Sequence, residues 1–269
     1  MGLSRLTATG GLCLLLIACG RQPPAEPASE IPAGASLPVQ QLTLKDRRVR
    51  RQPQEGDELR ASITLLETGE AGIDRRIQQW IGGLCPRKPA LKQPPDSAEA
   101  CLKRVMIDCL ALAEAAGKET ARCSYQAEVK LAYNDRYLLS LSHESYADTG
   151  GAHGTPNLAY LNIDRKTGRT LALTDLVSLP PETLRTLLEK QLRESLNVPP
   201  QASLKASGFF EDRLPPTDNF AIDPLGLRFT YGAYEIAPYS MGLPNIRIPY
   251  AELAAHLAPD SPLARMWPP

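Results

Sequence analysis

The sequence has no excess of charge of either sign and few aromatic residues. Its 269 residues include 30 basic and 30 acidic side chains, and Phe, Trp and Tyr together make up 6% of the chain. Nucleic-acid-binding proteins normally carry a basic excess, and single-strand binders need aromatic rings for base stacking. We therefore expect no nucleic-acid partner. The hydrophobic fraction of 43% is enough to form a core, which excludes global disorder.

Common catalytic signatures are also missing from the sequence. It contains no G-x-G-x-x-G, no P-loop, no H-E-x-x-H and no S-x-x-K motif. The segment Pro238–Gly242 is close to the serine-hydrolase elbow, but proline stands in place of its first glycine and no strand-turn-helix context surrounds it. Histidine is scarce, with only His143, His153 and His256. We therefore predict no catalytic residue, no metal site and no cofactor.

The first residues are typical of an export signal. Arg5 precedes the short apolar stretch Leu12–Ala18, which is too short to span a membrane as a mature helix. The segment Leu16-Ile17-Ala18-Cys19 resembles the bacterial lipobox, after whose cleavage the cysteine is acylated. An ordinary signal with a chance cysteine is the alternative. We predict a lipoprotein signal peptide at residues 1–18 and an acyl anchor in the lipid bilayer at Cys19.

The segment that follows the anchor predicts a tether and a location. Residues 19–41 contain five prolines and no hydrophobic periodicity, so we expect a disordered, Pro-rich tether. Gly20 follows the cysteine where an Asp would be needed to retain a lipoprotein in the inner membrane. We therefore expect a cell-envelope lipoprotein, held in the outer membrane and facing the periplasm or the cell surface.

Four cysteines remain after the signal peptide and the lipid site, namely Cys85, Cys101, Cys109 and Cys123. No C-x-x-C pair and no histidine lie among them, so disulfides in an oxidising compartment are favoured over a metal site. Because Ser97–Ala116 is predicted to be one helix, Cys101 and Cys109 would lie about 12 Å apart, beyond the disulfide limit of about 7 Å. We favour Cys85–Cys101 with Cys109–Cys123, and Cys85–Cys109 with Cys101–Cys123 remains the alternative.

The hydrophobic periodicity alternates between that of strands and that of helices. It predicts strands around residues 59–65, 127–131, 137–146, 158–164, 169–173, 220–222, 227–231 and 246–249, and helices around 73–83, 97–116, 180–196 and 251–257. Runs of antiparallel strands interrupted by helices indicate an α+β fold, mainly an antiparallel sheet packed against helices. We predict two consecutive α+β modules, at residues 42–124 (containing the disulfides) and 125–257, and a tail at residues 258–269.

Two short segments carry the candidate binding residues. The glycine-rich connection provides Tyr146, Asp148, Gly150, Gly151 and His153, and a later segment provides Tyr234, Glu235 and Tyr239. Adjacent glycines allow positive φ in a turn, and they also allow a ligand to approach the backbone closely. Tyrosines offer rigid amphipathic contact surface, although they equally cover sheet edges and core margins.

A catalytic use of the same region is the alternative hypothesis. His143, Glu144, Asp148 and His153 are the residue types of an envelope hydrolase or a metal-dependent enzyme acting on cell-wall material. The two histidines are ten residues apart, which matches no tight ligand spacing, and a histidine hydrogen-bonded in a loop explains the pattern equally.

Several blocks in order resemble a known family. Tyr146–Gly154, Asn162–Gly168, Leu171–Leu176, Tyr234–Tyr239 and Ile248–Leu253 are similar to the C-terminal module of RsiV-type anti-sigma factors. The resemblance covers residues 125–257, and residues 42–124 look like the companion module found upstream. It implies an α+β fold. Some relatives are membrane-anchored anti-sigma factors whose outer portion binds lysozyme, and others carry the module ahead of a peptidoglycan deacetylase domain.

The resemblance implies a binding role in the cell envelope. We find no sigma-binding segment, no transmembrane helix and no deacetylase domain in the sequence, so we expect neither sigma regulation nor deacetylation to carry over. The hypothesis is a stand-alone lipoprotein that acts as a binding module and not as an enzyme, with a lysozyme-like muramidase or peptidoglycan as the partner.

Overall fold

A six-stranded sheet forms the larger part of the fold. The computed structural model describes residues 39–86, 93–117 and 119–265. The strands follow the sheet order β1-β2-β3-β4-β5-β6, and β2 pairs with β3 in parallel while the other pairs are antiparallel. Their bounds are β1 Gln40–Arg47, β2 Glu58–Glu67, β3 Arg122–Asn134, β4 Leu138–Asp148, β5 Thr155–Asp164 and β6 Arg169–Thr170.

Two helices connect β2 to β3 and explain why these strands are parallel. The helices are α1, Ala71–Gly83, and α2, Ala98–Ala115. A parallel pair needs a long crossover, which this helical connection supplies. Ser97 begins α2 as predicted, since its side chain accepts a hydrogen bond of 3.2 Å from the Ala100 N–H. Both helices pack on one face of the sheet, where Ile63, Ile81 and other apolar side chains form the first core.

A second, smaller sheet follows in the chain. The elements are α3 Leu173–Leu176, α4 Pro181–Leu196, β7 Phe220–Asp223, β8 Gly226–Thr230, β9 Asn245–Pro249 and α5 Tyr250–Leu253. The strands are antiparallel in the order β7-β8-β9. Leu184, Leu188 and Leu192 form the buried stripe of α4, and this stripe joins the second core with the apolar side chains of the small sheet. None of the helices in the described part is long and apolar enough to cross a membrane.

The small sheet covers only part of the other face of the large sheet. The Asn162 Nδ2 atom donates to the Phe220 carbonyl oxygen at 2.8 Å, and the Ile222 N–H lies 3.1 Å from the Ser140 Oγ atom. These contacts bury the face at one end of β4 and β5. The outward side chains of β1 and β2, of β3 as far as Lys130 and of the last residues of β4 stay uncovered by the described residues, and we call this surface the open face.

Both disulfides of the fold join α2 to its neighbours. Cys85 pairs with Cys101 and Cys109 with Cys123, with Cα atoms 5.5 and 5.4 Å apart. This is the favoured connectivity, so the prediction of disulfide bonds is confirmed. The first bond ties the start of α2 to the loop after α1, and the second ties the middle of α2 to β3.

The α+β prediction is confirmed, with local differences at three places. The division between the two modules falls at residue 124, inside β3, so one sheet and one core are built from both sides of it. Strand β1 begins at Gln40, two residues inside the predicted tether, because it pairs along its full length with β2. The strand predicted at residues 169–173 is only Arg169–Thr170, because α3 begins at Leu173. The signal peptide, Cys19 and the tether up to residue 38 lie outside the described residues.

Candidate functional site

The glycine connection after β4 makes a tight turn. The Gly150 N–H donates to the Asp148 carboxylate at 2.9 Å, and Gly150 has φ of +82°, a region that favours glycine. Gly151 has no such need, since a Cβ atom added there would meet nothing closer than 3.9 Å. Of the two predicted glycines, only Gly150 is therefore required by the backbone.

Gly154, at the end of the same connection, seats the ring of Tyr146. Its N–H donates to the Tyr146 hydroxyl at 3.1 Å, and a Cβ atom added to Gly154 would lie 2.4 Å from the Cζ atom of that ring. Gly154 ends the block Tyr146–Gly154 but is not one of the predicted binding residues. A third glycine four residues after Gly150 was the only sequence signal for a close approach at this position. The sequence does not show that the approaching group is the Tyr146 ring.

The later segment folds back onto this turn and completes a cluster of rings. The Tyr239 hydroxyl donates to the Gly154 carbonyl oxygen at 3.0 Å, and its ring stacks on the His153 imidazole with centroids 4.1 Å apart. The Tyr234 hydroxyl lies 3.2 Å from the His153 Nε2 atom, and the Tyr234 and Tyr239 rings are 5.8 Å apart. We call Tyr146, His153, Tyr234 and Tyr239 the aromatic cluster.

The hydrogen bonds of the aromatic cluster define its protons. The His153 Nδ1 atom is 2.9 Å from the Gly154 carbonyl oxygen, which only accepts, so Nδ1 carries the proton. In the neutral ring Nε2 then accepts from the Tyr234 hydroxyl. Burial raises the pKa of Tyr239, and the nearby Tyr146 and Tyr234 hydroxyls raise it further. The Tyr239 phenol therefore stays protonated and keeps its bond to Gly154.

Tyr234 is held in an unfavourable backbone conformation. Its φ is +63°, in the left-handed region that costs a side chain with a Cβ atom about 1–2 kcal/mol. The same side chain is 54% exposed, so burial does not offset this cost. Observed strain of this kind concentrates at functional positions. The aromatic cluster thus presents a large ring to solvent at a position where glycine would fit better.

Open space adjoins the aromatic cluster on two sides. A cavity of about 740 Å³ lies along the glycine turn and is lined by Arg122, Asp148 and His153. A groove of about 610 Å³ lies over the open face and is lined in part by Gln126. Tyr146 lines both, and it is 41% exposed. A ligand in either space would meet the Tyr146 ring.

A family comparison assigns the segment that provides two of these rings. Residues 177–251 match the family described as "Protein of unknown function (DUF3298)". We refer to this segment, which is similar to that family, as the DUF3298 domain. It begins after β6 and includes Tyr234 and Tyr239, whereas Tyr146 and His153 lie before it. The aromatic cluster is therefore assembled from the DUF3298 domain, from β4 and from the turn that follows β4.

Solved structures share the whole fold and not only the DUF3298 domain. A DUF3298 family protein from Pseudomonas aeruginosa PAO1 has a TM-score of 0.65 and 21% identity, covering 84% of this chain and 96% of that one. A member from Bacteroides fragilis NCTC 9343 has a TM-score of 0.65 and 22% identity, covering 84% and 95%. These likenesses establish the fold. No curated protein matches the chain.

Glu235 is the third predicted binding residue within the DUF3298 domain. Its side chain forms a hydrogen bond within its own loop. Its carboxylate accepts a hydrogen bond of 2.6 Å from the Gly232 N–H. It lines a separate cavity of about 400 Å³ beside Phe210. Of the eight predicted binding residues, the structure brings four rings together, places Asp148 and the two glycines in the adjoining turn, and leaves Glu235 outside the aromatic cluster.

The residues of the alternative hydrolase hypothesis, all before the DUF3298 domain, do not converge as a set, although Asp148 and His153 line the same cavity. His143 and Glu144 are neighbours in β4, so their side chains lie on opposite faces of the sheet. His143 is buried against Trp80, and burial lowers its pKa to about 4. Glu144 accepts from the Lys130 Nζ atom at 2.6 Å on the open face. Within the described ranges, no three His, Cys, Asp or Glu side chains are grouped so as to hold a metal ion.

Proposed function

We propose that this protein is a cell-envelope lipoprotein that acts as a binding module through its aromatic cluster. The observation that carries the proposal is the geometry of that cluster. Two segments of the chain converge so that side-chain and backbone hydrogen bonds immobilise four rings, of which Tyr146 and Tyr234 remain about half exposed. A binding role is supported over catalysis because His143 and Glu144 lie on opposite faces of the sheet.

Rigid tyrosines are effective contact residues. Their large area is presented with few rotatable bonds, so little conformational entropy is lost on binding. In the aromatic cluster, the hydroxyl of Tyr239 and the imidazole of His153 are already bonded to Gly154, which holds both rings before a partner arrives. Preorganisation of this kind lowers the cost of association.

The proposed partner is a lysozyme-like muramidase or peptidoglycan. The family resemblance implies an envelope ligand of this kind, and an acyl chain on Cys19 would hold the protein where both are found. The lipobox at residues 16–19 supports the anchor, and Gly20 supports an outer-membrane location facing the periplasm or the cell surface. A protein that occupies a muramidase cleft would protect the wall as an inhibitor.

A binding experiment tests the proposal. A soluble Gly20–Pro269 form is titrated with lysozyme and, separately, with purified peptidoglycan. We expect binding to one of them and a loss of at least about tenfold in affinity for Tyr234→Ala and for Tyr239→Ala, because centrally placed aromatic residues dominate interface energies. Tyr137→Ala, which removes a ring outside the aromatic cluster, is the control.

Two results would count against the proposal. Wild-type protein that binds neither lysozyme nor peptidoglycan removes it, as does binding that the Tyr234 and Tyr239 changes leave intact. The inhibitor version has its own test, since unchanged lysis by lysozyme in the presence of excess protein excludes it.

A further inference from the structure

The corner of the open face next to β1 carries four exposed basic side chains. Lys45 and Arg47 come from β1, Arg60 from β2 and Arg122 from β3. Arg47 stands directly opposite Arg60, and Glu58 pairs in register with Arg122. Paired residues of neighbouring strands point to the same face, so these side chains share one surface. We call Lys45, Arg47, Arg60 and Arg122 the basic corner.

The fold itself makes little use of the charge in the basic corner. Among the residues that the structure describes, Lys45, Arg47 and Arg122 contact no carboxylate, and Arg60 is paired with Glu58 at 2.7 Å. Like charges directly opposite each other in a sheet are destabilising. The repulsion between Arg47 and Arg60 therefore destabilises the fold slightly. A basic pair that does not stabilise the fold is consistent with a role in binding an anionic ligand.

A single row of side chains leads from the basic corner to the aromatic cluster. Lys45 pairs with Ser62, Ser62 with Gln126, and Gln126 with Tyr146, one residue from each of four adjacent strands. With strands about 4.8 Å apart, the row is about 14 Å long. Ser62, Gln126 and Tyr146 line the groove of about 610 Å³. The side chains of Ser62 and Gln126 have no hydrogen-bond partner within the described ranges.

We propose that this row binds an acidic glycan chain of the peptidoglycan type. Carboxylates of the chain would pair with Lys45 and Arg47, sugar hydroxyls would hydrogen-bond with Ser62 and Gln126, and a sugar ring would lie on Tyr146. The inference rests on the proposed function, because Tyr146 belongs to both sites, and it narrows the partner to an anionic polymer of linked sugars.

The charges around the row favour a chain over a membrane surface or a basic protein. Glu128 and Glu144 lie on the same open face, paired in register and both next to Lys130. A flat anionic bilayer laid on this face would meet both carboxylates as well as the basic corner. A cationic protein would be repelled at the basic corner. A narrow chain can place its carboxylates at the basic corner and its neutral sugar units over the groove, which Glu128 and Glu144 line together with Ser62, Gln126 and Tyr146.

The test compares soluble peptidoglycan fragments that keep their free carboxylates with the same fragments after amidation. Affinities are measured by calorimetry with the purified protein at low and high salt. We expect the acidic fragments to bind at least about tenfold more tightly than the amidated ones, and salt to remove the difference, because exposed charges are screened. The double change Lys45→Ser with Arg47→Ser should weaken binding of the acidic fragments to the amidated level.

The matched control removes two exposed basic residues from the opposite side of the sheet. Arg75 in α1 and Lys103 in α2 are both exposed on the helices that cover that side. The double change Arg75→Ser with Lys103→Ser alters the net charge equally and should leave fragment binding unchanged. Thermal unfolding of both double variants checks that each remains folded.

Each outcome decides between the proposals. Equal binding of acidic and amidated fragments, or an unaffected Lys45→Ser, Arg47→Ser variant, overturns the inference but not the proposed function. Binding to vesicles of anionic phospholipid without binding to fragments also overturns it. If lysozyme binds through Tyr234 and Tyr239 while no fragment binds, the proposed function survives alone. Fragment binding that the Tyr239→Ala change leaves intact counts against the aromatic cluster instead.

Discussion

Single residues determine whether the aromatic cluster forms at all. Gly154 is the clearest case, because the Tyr146 ring occupies the space where any larger residue would place its Cβ atom. Tyr234 is the opposite case, since its backbone conformation suits glycine although it carries one of the most exposed rings of the protein. His143 lies outside the cluster, and its burial should lower the stability of the protein in mild acid.

The change Gly154→Ala should displace the Tyr146 ring and break its bond to the Gly154 N–H. Because that ring is partly exposed and can swing outward, we expect stability to fall by no more than about 1 kcal/mol, while affinity for the partner falls about as much as in Tyr146→Ala. Gly151→Ala is the control, since its Cβ atom would make only an ordinary contact at 3.9 Å. Calorimetric affinity and the unfolding midpoint measure the two effects, and full affinity in Gly154→Ala would contradict the close packing.

The change Tyr234→Gly should separate stability from binding. Glycine adopts positive φ without strain, so we expect the free energy of unfolding to stay level or to rise by up to about 1 kcal/mol, while binding is lost with the ring. Tyr234→Val should lower stability, because a β-branched residue is especially unfavourable there. Denaturant titrations compare the three proteins. A clear loss of stability in Tyr234→Gly would show that the ring contributes to folding.

His143 should make the protein less stable in mild acid. Its pKa is about 4 in the fold because of burial, below the ordinary value of 6.5, so the unfolded chain binds the proton more readily. Stability therefore falls as the pH drops from about 6.5 to about 4 and levels off below that range, with a total loss of order 3 kcal/mol at 1.36 kcal/mol per pKa unit. Chemical denaturation across this pH range should give a flatter profile for His143→Leu than for the wild type. Parallel profiles would contradict this assignment.

At the scale of elements, the end of α2 depends on a residue far away in the chain. Arg50 is almost fully buried, and its guanidinium donates to the carbonyl oxygens of Ala113 and Gly117 and to the Asp57 carboxylate. It thus satisfies orphan carbonyl groups that every helix end leaves. The Asp57 carboxylate also accepts from the Ala121 and Gln54 N–H groups, and these bonds, with Arg50, lower the pKa of Asp57.

The change Arg50→Ala should destabilise the protein by about 3–5 kcal/mol, because it leaves buried carbonyl groups and a carboxylate without their partner. Arg50→Lys should not restore full stability, since an ammonium group cannot reproduce the planar fork of donors. Arg51→Ala, the exposed neighbour, serves as the control with little expected change. Denaturant unfolding measures all three. Similar unfolding midpoints for Arg50→Ala and Arg51→Ala would contradict a stabilising role of Arg50 at the end of α2.

At the scale of the whole molecule, the proposed binding surface draws on both parts of the fold. The DUF3298 domain supplies Tyr234 and Tyr239, the large sheet supplies Tyr146 and the basic corner, and the turn between β4 and β5 supplies His153. The small sheet covers one end of the large sheet through Asn162 and leaves the other end open. The proposed anchor at Cys19 would hold this surface near the envelope.

If the protein is anchored through Cys19, its processing should depend on lipoprotein signal peptidase. We expect globomycin, which inhibits lipoprotein signal peptidase, to leave the signal peptide attached, and radiolabelled palmitate to enter the wild-type protein but not Cys19→Ala. The Cys19→Ala protein should leave the membrane fraction while retaining partner affinity, because the aromatic cluster lies elsewhere. Cys13→Ala is the control, and its labelling should match that of the wild type. Unaltered processing under globomycin would remove the anchoring proposal.

Local patterns predicted the elements and the disulfides well. Ser97 was recognisable as a helix start, Pro180-Pro181 as the entry to α4, and the period of two as the strands. For the cysteines, helix geometry excluded a Cys101–Cys109 bond and left two pairings open, of which the structure shows the favoured one. These features depend on residues close together in the chain, where spacing alone restricts the possibilities.

What the sequence by itself determined was the fold class and the two segments that carry the candidate residues. Only the tertiary structure decided that Tyr146, His153, Tyr234 and Tyr239 meet, that Gly154 makes room for a ring, and that Lys45, Ser62, Gln126 and Tyr146 form one row. The physical reason is that each of these relations joins positions from distant strands or loops. Strand register and sheet order set such contacts, and neither can be read from local periodicity.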